Sequence, residues 1–78
     1  MNQPLPTLQP GQIATVLDFH SKIPPQTKQR LQDLGIHKDR TITLLRRSPF
    51  GGPISIAVGS LVLALDIELA CDILVQPQ

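Results

Sequence analysis

The stretch Pro53 to Leu65, Pro-Ile-Ser-Ile-Ala-Val-Gly-Ser-Leu-Val-Leu-Ala-Leu, leaves this chain few folds to adopt. Gly59-Ser60 is a two-residue loop with glycine first, the signature of a type II′ hairpin turn whose twist matches that of the strands it joins. Folding back about it sets Val58 opposite Leu61, Ile56 opposite Leu63 and Ile54 opposite Leu65, because side chains alternate faces with period two. One face is therefore six branched apolar residues. The other carries Ser55, Ala57, Val62 and Ala64, small and uncharged, which predicts a cover from elsewhere in the chain or from a partner. An isolated hairpin is marginal in water, so the remaining residues must close around this one.

With 78 residues the chain is expected to form one domain, 1–78, with its core at about 8–76 and residues 1–7 as an extended lead-in. A 41% share of hydrophobic residues, mostly Leu, Ile and Val, suffices for a compact core and argues against disorder. The formal net charge of +1 is far from the basic excess of a domain that binds by neutralising phosphates, so nucleic acid is not an expected partner. Cys71 is the only cysteine, which excludes an internal disulfide or a zinc-stapled scaffold. The first residues lack a basic and apolar leader pattern, and the run Leu61 to Leu65 is far short of the roughly 20 residues of a spanning helix. The expectation is a cytoplasmic protein without direct membrane insertion.

Along the chain, Gly11 opens Gln12 to Phe19, a β-branched run read as the first strand with Ile13, Thr15, Leu17 and Phe19 on one face. Pro24-Pro25 then favours a helix start, and a short helix from about Pro25 to Leu34 fits. Gly35 stands where a left-handed residue ends a helix, placing Leu31 and Ile36 at the two contact positions of a Schellman cap. Leu31, Leu34 and Ile36 are then expected to close over one end of the sheet. His37 to Arg40 reads as a turn into Thr41–Arg47, with Ile42 and Leu44 facing the core. Ser48 to Pro53 is a loop of turn formers. Asp66 is placed to cap a single helical turn through Ala70 with its side chain, and Ile73 to Val75 form the last strand. The expected fold is mainly β: a small SH3-like barrel of about five strands, with one short α-helix after the first strand and a single helical turn before the last. An OB-like barrel ranks second, because its helix falls later in the strand order.

Taken in order, Arg30-Leu31-x-x-Leu34-Gly35-Ile36, Ile42, Arg47-Ser48-Pro49-Phe50-Gly51-Gly52-Pro53-Ile54, Val58, Leu63-Ala64-Leu65, Ala70 and Ile73 closely resemble the FeoA family. The resemblance spans roughly Leu8 to Val75. It implies an SH3-like barrel that acts as a non-catalytic accessory protein of bacterial ferrous iron uptake, binding and modulating FeoB, the membrane iron transporter with an N-terminal GTPase domain. The chain departs from the family's common pattern at Lys38-Asp39 and at Asp66. The same barrel also resembles the C-terminal regulatory module of metal-dependent transcription repressors, which is the alternative reading.

The residues themselves offer no catalytic, cofactor or metal site. There is no nucleophile elbow, zinc-protease motif or phosphate loop, and Gly51-Gly52 lacks the lysine and the following helix that a phosphate loop needs. His20 and His37 lie in separate loops, and Cys71, beside a core strand, is expected to be a small buried hydrophobe. With Phe19 in the core, Phe50 alone cannot line a groove for proline-rich peptides or stack single-stranded nucleic acid. Partner contact is the remaining reading, and its candidates are Arg46, Arg47, Phe50, Ser55, Ala57 and Val62. Strand alternation points Arg46 and Arg47 to opposite faces. Phe50 either anchors on a partner or folds back on the barrel. Self-association through the second face of the hairpin is a further expectation.

Overall fold

The computed structural model describes residues 2–78; Met1, part of the expected lead-in, lies outside the described residues. Its elements are β1 (Gln3–Pro4), β2 (Ile13–Phe19), α1 (Pro25–Asp33), β3 (Thr41–Arg47), β4 (Ile54–Val58), β5 (Leu61–Leu65), α2 (Ile67–Cys71) and β6 (Ile73–Pro77). Short 3-10 turns follow β1 at Leu5–Thr7 and β3 at Pro49–Gly51.

The β4–β5 hairpin has the register the sequence specifies, with Ile54 paired to Leu65, Ile56 to Leu63 and Val58 to Leu61. Gly59 takes the positive φ (+58°) that the first turn position requires, and Ser60 does not. From this hairpin the antiparallel sheet extends in the order β1-β6-β2-β3-β4-β5. The sheet has six strands and is open: β1 and β5 are not bonded to each other, so the closed five-strand barrel expected from the sequence is replaced by a sheet that bends without closing. The additional strand is β1, which pairs Gln3 with Val75 and Pro4 with Leu74 at the sheet edge, where a proline without an N–H is tolerated. As a result α1 follows the second strand.

Two single-residue bulges re-phase the strands. On β2, Val16 pairs with Val75 and Asp18 with Leu74, which leaves Leu17 as the surplus residue. On β3, Leu44 pairs with Ile56 and Arg46 with Ser55, which leaves Leu45 as the surplus residue. An extra residue on one strand bends it and shifts its alternation by one. The inward face of β2 is therefore Ala14, Val16 and, beyond the bulge, Phe19. The expected face of Ile13, Thr15, Leu17 and Phe19 is corrected except at Phe19, and Ile13 is 44% exposed.

The core is aliphatic and, among the described residues, contains no buried polar or charged residue. Leu5 and Leu8 are completely buried in it, so the N-terminal segment is extended only at β1 and then turns to plug the core rather than leading into it. Helix α1 ends as the sequence predicts. Gly35 sits at φ +99°, its N–H donates to the Gln32 carbonyl (3.0 Å), and the Ile36 N–H donates to the Leu31 carbonyl (2.9 Å). Leu31 and Ile36 are buried, whereas Leu34 is 41% exposed and does not join them. On α2, Asp66 occupies the capping position without a side-chain capping bond, and Cys71 is exposed rather than buried because it ends the outer side of that short helix.

Candidate partner-binding surface

The outward face of β2 to β5 is assembled by register. Ile13 pairs with Thr43, Thr43 with Ala57, and Ala57 with Val62, giving one row across four strands. A second row runs from Arg46 through Ser55 to Ala64. Arg46 carries the only charge in these two rows. Val62 is 69% exposed, Ala57 and Ser55 are half-buried, and no element of the described chain packs over them. This is the uncharged second face that the hairpin sequence exposes. Ile13 and Thr43 belong to it but were not singled out from sequence, since the bulge that turns Ile13 outward leaves no mark in the residue pattern.

Arg47 pairs with Ile54 and therefore sits on the side opposite Arg46, as alternation predicts. Its guanidinium donates to the Pro6 carbonyl (3.4 Å) and to Gln9 Oε1 (3.3 Å), tying the N-terminal segment to the sheet rim. Phe50 lies one loop beyond the Arg46–Ser55 pair. It is fully exposed (104%) at φ +64°, so it does not fold back on the sheet. The loop around it is fixed at its base by Ser48, whose N–H and Oγ both donate to the Pro53 carbonyl, at 3.2 and 2.5 Å. Phe19 is buried, with Lys28 Nζ 5.7 Å from its ring centroid.

Beside the uncharged rows, the turn His37 to Arg40 forms an open cleft of about 650 Å³ with Thr41, Thr43, Ala57 and Gly59. The Arg40 guanidinium lies against Gly59, where a side chain would collide with it. Among the described residues, no three His, Cys, Asp or Glu side chains gather as a metal-holding group. His20 accepts a bond from the Lys22 N–H (3.2 Å), and the His37 ring contacts the Lys38 carbonyl (3.1 Å). No described helix is long and apolar enough to cross a membrane.

A bent antiparallel sheet around an aliphatic core, with an outer face that carries a single charge and a loop that exposes Phe50, defines a small domain of SH3-like fold. The crystal structure of the iron uptake regulatory protein FeoA superposes with a TM-score of 0.84 at 29% identity, covering 100% of this chain and 99% of that one. FeoA of Chlorobium tepidum gives 0.87 at 28% identity, over 96% of this chain and 70% of that one. A manganese-dependent transcriptional repressor gives 0.86 at 28% identity, over 99% of this chain but 42% of its own. No curated protein matches the chain by sequence. The FeoA domain matches residues 3–77, and the chain belongs to the FeoA family, small SH3-like accessory domains of ferrous iron transport.

Proposed function

We propose that this chain is a non-catalytic cytoplasmic accessory domain of bacterial ferrous iron uptake that docks on a FeoB-type transporter and modulates its gating or GTP turnover. Family membership supports the iron system. So does the zinc-complexed FeoA of Stenotrophomonas maltophilia, a prokaryotic SH3 domain protein put forward as a ferrous iron transport activating factor, at 25% identity and a TM-score of 0.82 over 95% of this chain and 89% of that one.

The observation that carries the docking reading is Phe50. A bulky aromatic held in left-handed backbone and fully exposed among the described residues buries no surface of its own in the fold, whereas exposed aromatics are the usual anchors of protein interfaces. The contact surface combines Phe50 with Arg46, Ser55, Ala57 and Val62. Arg47 serves it from the rim by holding the N-terminal segment. Titration of the chain against the full-length transporter and against its cytoplasmic domain tests the reading. Binding weakened about tenfold or more by Phe50→Ala or Ala57→Glu is expected. Absence of binding to either target overturns it.

The repressor likeness favours a second reading, a regulatory module acting on a DNA-binding partner. Co-purification with a repressor, or an operator shift that depends on this chain, would move it to first place.

A further inference from the structure

The two edges of the sheet are built differently. The β1 edge is two residues long and contains Pro4, both of which discourage pairing. The β5 edge, Leu-Val-Leu-Ala-Leu, is five residues with no charge, no proline and no bulge, and among the described residues β5 pairs with β4 alone. Natural edge strands are normally protected by one of those devices. This one has none of them.

The hairpin geometry says which groups are unpaired. A two-residue loop makes Val58 and Leu61 a hydrogen-bonded pair, so Leu61, Leu63 and Leu65 bond inward to β4. The N–H and C=O groups of Val62 and Ala64 therefore point to the open edge. Antiparallel pairing of two identical edges about Leu63 sets Val62 of one copy opposite Ala64 of the other. That register aligns the free groups as hydrogen-bonded pairs and forms four bonds between copies.

We infer that β5 is a self-complementary docking edge, at which a second copy of this chain pairs antiparallel about Leu63 to give a two-fold dimer with one continuous twelve-strand sheet. Charge supports the same register. Nothing along β5 repels its copy, and Asp66 of one copy falls opposite Ser60 of the other, beside Gly59, where the Arg40 guanidinium lies. Asp66 makes no capping bond within its own chain, so its carboxylate is available. The pairing also extends the uncharged Ile13–Thr43–Ala57–Val62 row into the Ala64–Ser55–Arg46 row of the second copy. Assembly stops at two because the edges left over are the β1 edges.

This inference does not rest on the transporter reading, and its test needs no transporter. Sedimentation equilibrium over a wide concentration range is expected to show a species of twice the 8.5 kDa chain mass, with the amides of Val62 and Ala64 gaining exchange protection as it forms. Val62→Lys, a solvent-facing change, places charges next to the two-fold axis and is expected to abolish the dimer while leaving the monomer's amide spectrum dispersed. Asp66→Lys is expected to raise Kd by up to about fivefold, with Arg40→Glu restoring it in the double variant. A chain that stays monomeric at every concentration overturns the inference, as does a dimer that Val62→Lys leaves intact.

Discussion

Two residues test whether local backbone conformation carries what we assign to it. Gly35 adopts φ +99°, and a Cβ there would stand 3.3 Å from Val58 Cγ1, so Gly35→Ala suffers both left-handed strain and crowding. A loss of about 1–2 kcal/mol in denaturant unfolding is expected. Phe50 predicts the opposite sign. Its left-handed φ is tolerated better by asparagine, and its side chain packs on nothing, so Phe50→Asn should leave stability unchanged or raise it by up to about 1 kcal/mol. If the same variant also loses transporter binding, the aromatic is retained for contact at the expense of the fold. A destabilised Phe50→Asn would show instead that the ring has an intramolecular role.

At the scale of elements, the segment before β2 gives the clearest prediction. Leu5 opens the 3-10 turn and is completely buried, so Leu5→Ala should cost about 2–5 kcal/mol, as for a core leucine and unlike a residue in a peripheral lead-in. Thermal unfolding would register this as a large fall in Tm, and a shift within error would place Leu5 outside the cooperative core. The β4–β5 hairpin and the end of α1 were legible in the sequence because their signals are local: a glycine-first loop between alternating residues, and a glycine flanked by Leu31 and Ile36. The role of Leu5 was not legible, because it depends on a partner strand seventy residues away and three nearby prolines suggest mere extension. The phase of β2 departs from simple alternation for a related reason. Period-two alternation is reliable only until a bulge interrupts it, and the surplus residue Leu17 is chosen by the neighbouring strand rather than by its own sequence. The outward row proposed for contact was legible in part, since Ser55, Ala57 and Val62 follow from the hairpin register, while Ile13 joins them only through the altered phase of β2.

For the whole molecule, a chain this short has little stability to spare, and 1 kcal/mol moves Tm by roughly 4–8 °C in a domain of this size. Variants of the outer face can be separated from variants of the core on that basis. Ala57→Glu should leave Tm within a few degrees while abolishing partner contact, whereas Leu5→Ala should lower Tm sharply and reduce binding only through the unfolded fraction. The surplus residues Leu17 and Leu45 have an unusual standing in such a molecule. The residues on either side of each are already matched to consecutive residues of the neighbouring strand, so excising Leu45 would keep every existing partner in β3 and β4 and merely regularise the ladder. The connectivity would survive while the curvature did not: the sheet would flatten, and its far ends would move apart over a core sized for a bent one. In this chain, bending is stored in two residues that the strand ladder itself does not need.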